Sequence, residues 1–412
     1  MFQRKAIEDL RKWANSKHRK PLILRGARQI GKTSIVELFA NEFDDFISLN
    51  LERDKERELF DNNASVQEVL SAIYFQKDKN KKEGRTLLFI DEIQYSARAV
   101  TLLRYFYEDL PELYVIAAGS LLETLLNKQI SFPVGRVEYL AMRPCSFSEF
   151  LIALDKKSLS ETVLSATLPN AIHKHAMDLF NEYLLVGGMP EAIKTYAETK
   201  DIILLNKIYE TLLTGFRDDV EKYAANATMR NVIRYILLYG WDFAGERIKF
   251  EKFANSNYKS REMGEAMRTL EQAMLLELSY PTTARAIPLK PDIKKSPKLL
   301  WLDTGLVNYA SGLQKEILGN KNIMDIWKGR IVEHIVGQML LANSKSVSYK
   351  RNFWVREERN SQAEVDYVIQ VGEYLIPIEV KAGNNSKLKS LNLFMEASNS
   401  PVAVRFWNMP LS

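Results

Sequence analysis

Residues 26–33 have the residue types and the spacing that bind nucleotide phosphates. The stretch reads GARQIGKT, with four residues between Gly26 and the Gly31-Lys32-Thr33 run. Glycines let backbone N–H groups surround phosphate oxygens, the lysine reaches the β- and γ-phosphates, and the threonine hydroxyl is a ligand for Mg²⁺. The pattern predicts a site for ATP and Mg²⁺. Its expected binding residues are Gly26, Arg28, Gln29, Ile30, Gly31, Lys32, Thr33 and Ser34.

Polar residues lie at the C-terminal ends of two later apolar runs. The stretch LLFIDEIQ, residues 87–94, contains Asp91 and Glu92. We predict that Asp91 holds Mg²⁺ through water and that Glu92 is the general base for the attacking water. The alternative is that these acids cap a helix. The stretch LYVIAAGS ends at Ser120, which we expect to contact the γ-phosphate or the attacking water.

A third group of candidate residues lies near the C-terminus. The stretch AEVDYVIQVGEYLIPIEVKAG, residues 363–383, carries Asp366 on one strand-like run and Glu379 and Lys381 on the next. Carboxylates are ligands for Mg²⁺, and Lys381 lies on the same face of its strand as Glu379, where it can orient or deprotonate a water. Glu333, upstream, would complete the carboxylates. This predicts a metal-dependent phosphodiesterase site, with an accidental match as the alternative.

Alternating strands and helices must position the phosphate-binding residues. An apolar strand at residues 21–24 precedes the glycine-rich loop, and an amphipathic helix begins at Lys32. The two later apolar runs are typical of buried parallel strands. Because the carboxyl ends of such strands meet at one sheet edge, we predict a doubly wound α/β domain with its ligand at that edge.

The middle of the chain is predicted to be mainly helical. The turn GGMP, residues 187–190, interrupts this helical pattern, and residues 240–285 indicate a helix-turn-helix followed by a wing. Its candidate recognition helix, residues 260–275, has no excess of positive charge, so packing or protein contact is at least as good a role as DNA binding.

Shorter elements are expected around the C-terminal candidate residues. Residues 298–313 predict a strand, a turn and a short helix, and residues 329–344 predict an amphipathic helix that carries Glu333. Further strands are expected near residues 346–350 and 354–356.

The first two groups of residues resemble the AAA+ and related P-loop ATPases that use a DE-type acidic pair. With GGMP, the DTGL stretch at residues 303–306 and the C-terminal hairpin, the chain resembles a family of predicted bacterial and archaeal ATPases. These have an AAA+-type core and a C-terminal domain of unknown function, DUF4143. The order of Glu333, Asp366, Glu379 and Lys381 is similar to that of the PD-(D/E)xK nuclease superfamily.

The resemblance implies further roles. In SFPVGRVEYLAMRPCSFSEF, residues 131–150, Arg136 would sense or stabilise the γ-phosphate, unless it is an ordinary surface arginine. GGMP is similar to an element in the helical lid of signal-transduction-type ATPases, which would place Gly188 and Pro190 at the adenine. The alternative for GGMP is a plain turn between helices.

These features predict four divisions within one α/β chain. They are a P-loop ATPase core at residues 1–155, a helical lid at 156–235, a winged-helix-like region at 236–285 and a nuclease-like α/β domain at 286–412, which resembles the restriction-endonuclease fold.

Composition restricts compartment and partners. The chain of 412 residues has a net charge of +5 and a single cysteine, which excludes an internal disulfide. No apolar run reaches the about 20 residues that span a bilayer, so we expect a cytoplasmic protein without a membrane partner. Residues 281–412 hold 18 Lys+Arg against 12 Asp+Glu, a weak indication of a DNA or RNA partner. A protein partner or a homo-oligomer also fits the sequence.

Two functions follow from the sequence. In the first, Mg²⁺-dependent ATP hydrolysis controls a nuclease-like C-terminal domain that acts on nucleic acid. In the second, the chain is a nucleotide-switched binding module, and its nuclease-like domain is an inactive scaffold.

Overall fold

The computed structural model describes residues 2–61, 64–119, 133–220, 224, 226–313, 324–356, 363–381, 388–407 and 409. These residues form two compact units. We call residues 3–143 with 345–348 the N-terminal unit, and residues 1–2, 144–344 and 349–412 the C-terminal unit. The four predicted divisions of the sequence stay predictions.

The N-terminal unit alternates strands and helices in chain order. Its elements are α1 (Ala6–Ala14), β1 (Leu22–Arg25), α2 (Lys32–Ala40), β2 (Asp45–Asn50), α3 (Asp54–Arg57), α4 (Val66–Gln76), β3 (Thr86–Asp91), α5 (Ala97–Asp109), β4 (Tyr114–Gly119) and β5 (Glu138–Ala141).

The five strands form a parallel sheet in the order β2-β3-β4-β1-β5. Every residue of β1 and β3 is buried, as expected for central strands covered on both faces. The predicted α/β fold class is therefore confirmed, and the carboxyl ends of β1 and β3 lie at the same sheet edge.

The C-terminal unit begins with helices. These are α6 (Phe147–Ala153), α7 (Lys157–Leu164), α8 (Asn170–Val186), α9 (Pro190–Thr199), α10 (Leu205–Asp218), α11 (Ala227–Tyr239) and α12 (Ser260–Gln272). The remaining elements are β6 (Leu276–Ser279), β7 (Pro281–Thr282), β8 (Lys298–Trp301), α13 (Thr304–Ala310), α14 (Met324–Ala342), β9 (Asn352–Val355), β10 (Glu364–Val371), β11 (Tyr374–Val380), α15 (Lys389–Ala397) and β12 (Val404–Phe406).

Two sheets follow the helices. Strands β6 and β8 pair antiparallel, and the other strands form a mixed sheet in the order β12-β11-β10-β9-β7. The hairpin of β10 and β11 is antiparallel, whereas β12 runs parallel to β11. Val336 of α14 packs with Tyr367 and Ile378, and Phe394 of α15 packs with Val365.

Two local expectations differ from the structure. Residues 346–350 form no strand, and the strand in this region is Asn352–Val355. The apolar pattern of α12 was expected to continue to residue 275, but the helix ends at Gln272, and Met274 has a φ of +60°. A residue in the left-handed region ends an α-helix.

Candidate functional site

The glycine-rich loop joins β1 to α2 in the N-terminal unit. Gly31 has a φ of 88° and Gln29 a φ of 58°, so two residues of the loop adopt left-handed backbone. A Cβ on Gly26 would lie 2.6 Å from the carbonyl oxygen of Met142, so this position needs a glycine. The loop is thereby packed closely against its own unit and leads directly into the N-terminus of α2.

The Lys32 side chain lies buried within this loop. Its Nζ donates to the carbonyl oxygens of Gly26, at 2.9 Å, and of Ala27, at 2.8 Å. Burial lowers the pKa of Lys32 to about 8, and the charges of Glu92 and Asp91 oppose that shift. A buried ammonium that donates to two neutral carbonyl groups is suited to an anionic ligand.

Thr33 and Asp91 meet at the sheet edge. Thr33 Oγ1 donates to Asp91 Oδ2 at 2.7 Å, across 58 positions of sequence, and Asp91 Oδ1 accepts from the backbone N–H of Glu92 at 2.9 Å. A hydroxyl and a carboxylate at this separation are hard oxygen donors of the kind that Mg²⁺ prefers. The residues present therefore fit the metal that the sequence predicts.

Glu92 follows β3 in left-handed backbone, with φ 52° and ψ 42°. Such a conformation is uncommon for a residue other than glycine and is concentrated at functional sites. Gln94 Nε2 donates to Glu92 Oε2. Gln94 was not among the predicted site residues, although it lies in the stretch LLFIDEIQ, two positions after the predicted base. A sharp turn after the strand brings these two side chains together.

The predicted residue Arg136 pairs with a carboxylate outside this group. Arg136 Nε donates to Glu108 at 2.8 Å, and Glu108 also pairs with Arg104. Hydrogen bonds from Arg136 lower the pKa of Glu108. The side chain of Arg136 is 44% exposed, and its role at the γ-phosphate stays a prediction. Ser120 lies outside the described residues.

Gly188 is held within the C-terminal unit by a buried carboxylate. Its N–H donates to Asp303 Oδ2, which also accepts from Gln338 Nε2 at 3.1 Å. Asp303 Oδ1 accepts from Leu306 N at 3.1 Å, and burial raises the pKa of Asp303 to about 6. The two motifs GGMP and DTGL are therefore joined by Asp303. Roles of Gly188 and of Pro190, the first residue of α9, at an adenine stay predictions.

The C-terminal candidate residues gather around a lysine that the sequence did not single out. Lys298 Nζ lies 2.6 Å from Glu333 Oε1 and 2.8 Å from Glu364 Oε1. Lys298 was part of the stretch at residues 298–313, but its partners lie 35 and 66 positions later, so no local pattern indicated the pairing. We call Lys298, Glu333, Glu364, Asp366, Glu379 and Lys381 the carboxylate cluster.

The other members of the carboxylate cluster also have partners. Asp366 Oδ2 accepts from the N–H of Val380 at 2.8 Å, and Glu379 Oε1 lies 2.5 Å from Lys381 Nζ. Burial raises the pKa of Glu333 to about 7 and also raises the pKa values of Asp366 and Glu379. In each case the charge of Lys298 opposes the shift.

An ammonium group lies at the centre of this arrangement. Within the described ranges, no group of three or more His, Cys, Asp or Glu side chains is arranged to hold a metal ion. The structure places the predicted residues Glu333, Asp366, Glu379 and Lys381 in one region of the C-terminal unit, but an ammonium lies between Glu333 and Glu364.

Family models divide the chain into three matched segments. Residues 18–151 match the AAA domain, residues 177–317 match a domain of unknown function (DUF8612), and residues 328–406 match a domain of unknown function (DUF4143). The combination of an AAA domain with DUF4143, which the resemblance implied, is confirmed.

Similar proteins are distant. The chain is 23% identical over 402 residues to the uncharacterized protein MJ1637 of Methanocaldococcus jannaschii, covering 92% of this chain and 79% of that protein. Among solved structures, the Walker-type ATPase of Pyrococcus abyssi is 14% identical with a TM-score of 0.46, covering 76% of this chain and 96% of its own. The Orc1 protein of Aeropyrum pernix, solved in complex with DNA, is 12% identical with a TM-score of 0.29, covering 75% and 90%.

None of the helices in the described part of the chain has the length and apolar character to cross a bilayer.

Proposed function

We propose that this chain, with its AAA domain at residues 18–151 and its DUF4143 domain at residues 328–406, binds ATP with Mg²⁺ and hydrolyses it in the N-terminal unit. The observation that carries the proposal is the pairing of Thr33 with Asp91, next to the buried ammonium of Lys32. Residues that are far apart in sequence thus supply a phosphate-binding cation and two oxygen donors at one sheet edge.

Phosphate binding is assigned to the glycine-rich loop and the start of α2. Backbone N–H groups at a helix N-terminus favour an anion, and this holds for residues 28–34. Lys32 would exchange its two carbonyl partners for phosphate oxygens. Hydrogen bonds between an ammonium and an anion are stronger than those to a neutral carbonyl, so this exchange favours nucleotide binding.

Magnesium is assigned to Thr33 and Asp91. When bound there, the metal would neutralise negative charge on the phosphates. The Thr33 hydroxyl, which donates to Asp91 in the free chain, has lone pairs to offer once it turns.

Hydrolysis is assigned to Glu92. As an ionised carboxylate, Glu92 would accept a proton from the attacking water, and Gln94 would hold the carboxylate in orientation through its amide N–H. Arg136 and Ser120 are proposed to contact the γ-phosphate. For Arg136 this requires release from Glu108, within its own chain or toward a second copy.

The test of nucleotide binding is Lys32→Ala, measured by titration with a fluorescent ATP analogue. We expect binding to fall by at least about tenfold, since a charged hydrogen-bond partner is lost. Lys17→Ala, which removes an exposed lysine from the same unit, is the matched control and should bind normally. Equal affinity in the Lys32 variant and the control would reject the assignment.

The sequence is compatible with two functions of the C-terminal unit. One is cleavage of DNA or RNA under ATP control, and the other is binding of a partner by an inactive scaffold. Lys298 between Glu333 and Glu364 favours the second. We therefore propose that ATP turnover acts on a binding surface of this unit, with a protein or a nucleic acid as its partner.

A further inference from the structure

Lys298 is one of the few lysines in the described structure whose side chain is buried. Its ammonium lies between Glu333 of α14 and Glu364 of β10, at 2.6 and 2.8 Å, and 4.8 Å from the ring centroid of Phe353. Burying a charge is costly unless it is paired, and these contacts provide two carboxylates and an aromatic face. The ammonium is thus the central cation of the carboxylate cluster.

The backbone around Lys298 holds it in this place. Leu299, the next residue, donates its N–H to Glu246 O at 2.9 Å and accepts from Gly245 N at 2.7 Å. Trp301, at the end of β8, donates its N–H to His334 Nε2 at 3.0 Å. His334 follows Glu333 in α14, so one hydrogen bond joins the strand that carries the lysine to the helix that carries its partner.

Two of the surrounding carboxylates also pair with other cations of the same unit. Glu364 also lies 3.0 Å from Arg247, and Glu379 lies 2.5 Å from Lys381. The charge of Lys298 acts on Glu333, Asp366 and Glu379 alike, since it opposes the rise in pKa that burial causes in each. A divalent cation that joined this group would meet the ammonium as a like charge in a poorly solvated place.

We propose that Lys298 is the resident cation of the carboxylate cluster and occupies the place of a divalent metal ion. The C-terminal unit is then a nuclease-like fold whose acidic residues are neutralised from within. The ion pairs of Lys298 with Glu333 and Glu364 link β8 to α14 and β10, and we call these two ion pairs the ionic joint. This inference is independent of the proposed ATP hydrolysis, because all its residues lie in the C-terminal unit.

Counting bound Mn²⁺ by electron paramagnetic resonance tests the proposal. The full chain is used without nucleotide and with Asp91→Asn, which removes the metal ligand of the N-terminal unit. We expect no Mn²⁺ at the carboxylate cluster of this background chain. With Lys298→Met added, which keeps the length of the side chain but not its charge, we expect one Mn²⁺ per chain. Its affinity should be at least about tenfold above the background, since metal affinity follows ligand charge.

Two further variants establish where the ion binds. Adding Asp366→Asn to the Lys298→Met chain should abolish the gained Mn²⁺. Lys294→Met removes an exposed lysine four positions upstream and should gain no Mn²⁺. A gain with Lys294→Met would show a general effect of net charge and would overturn the proposal.

Two other results would also overturn it. One is that the background chain, with Lys298 intact, binds Mn²⁺ and loses it when Asp366→Asn is added. This comparison stays decisive even when Lys298→Met does not fold. The other is a folded Lys298→Met chain that gains no Mn²⁺, because the lysine would then not stand in the place of a metal.

Discussion

The ammonium of Lys32 has its pKa lowered to about 8 by burial, and this has a measurable consequence. Below pH 8 the lysine is charged in the free chain, so nucleotide affinity should not depend on its titration. Above pH 8 the free chain loses this proton, whereas bound phosphates favour the charged form, so binding must take up a proton. We predict that the affinity for a fluorescent ATP analogue falls as pH rises from 8 to 9.5, by at most about tenfold per pH unit.

The control for this pH dependence is the Lys32→Ala chain. It lacks the titrating group, so its weaker affinity should stay level between pH 8 and 9.5. An affinity of the unsubstituted chain that is constant over the same range would contradict the role of Lys32 as a phosphate ligand.

Individual residues were predictable from sequence to the extent that their motif is local. Thr33 and Asp91 were both predicted to hold Mg²⁺, at the edge where the parallel strands end. In the structure Thr33 Oγ1 lies 2.7 Å from Asp91 Oδ2. Lys298 and Asp303 were not assigned, because their partners lie in distant elements, such as Gly188, which is 115 positions before Asp303. A long-range ion pair leaves no spacing in the sequence that indicates it.

At the scale of elements, Asp303 joins the turn before α9 to the start of α13. Its two oxygens accept from backbone N–H groups of Gly188 and Leu306 and from the amide of Gln338. In Asp303→Asn, an NH₂ group replaces one of these acceptors and faces a donor. We predict a loss of about 1–3 kcal/mol in the free energy of unfolding, the usual cost of an unsatisfied buried polar group.

Urea unfolding, followed by the signal of the C-terminal unit, measures this loss. Asp218→Asn, at an exposed position near the end of α10, is the matched control and should change the midpoint little. An Asp303→Asn chain as stable as the control would show that the carboxylate does not hold the two motifs together.

Most elements were predictable, and the exceptions have local causes. The strand before the glycine-rich loop, the helix from Lys32 and the later parallel strands follow from apolar runs with glycine between them. The strand expected at residues 346–350 is wrong. That stretch, SVSYK, has the alternation of a strand, but it forms a turn, since tertiary pairing decides short polar segments.

For the whole molecule, the proposed ionic joint predicts the outcome of a nuclease assay. We expect supercoiled plasmid and single-stranded DNA to stay intact with Mg²⁺ or Mn²⁺, with and without ATP, because Lys298 occupies the carboxylate cluster. Agarose gel analysis over several hours measures this. Cleavage by the unsubstituted chain that disappears in Asp366→Asn would show a working site.

The C-terminal unit has a second expected property as a binding surface. If nucleic acid is its partner, affinity should fall steeply with salt, because each phosphate contact releases counterions. If a protein is the partner, the dependence on salt should be shallow. Titration of a single-stranded oligonucleotide at two salt concentrations separates these cases, and absence of binding at low salt would leave a protein as the partner of this unit.

ATP turnover by the N-terminal unit is tested most directly with the variant Glu92→Gln. Phosphate release should fall by at least about 10²-fold, the usual contribution of a general base, while the affinity for ATP stays the same. Glu37→Gln, on the exposed face of α2, should keep full turnover. Turnover by Glu92→Gln equal to that of the Glu37 variant, or no Mg²⁺-dependent turnover in the unsubstituted chain, would contradict the proposed function.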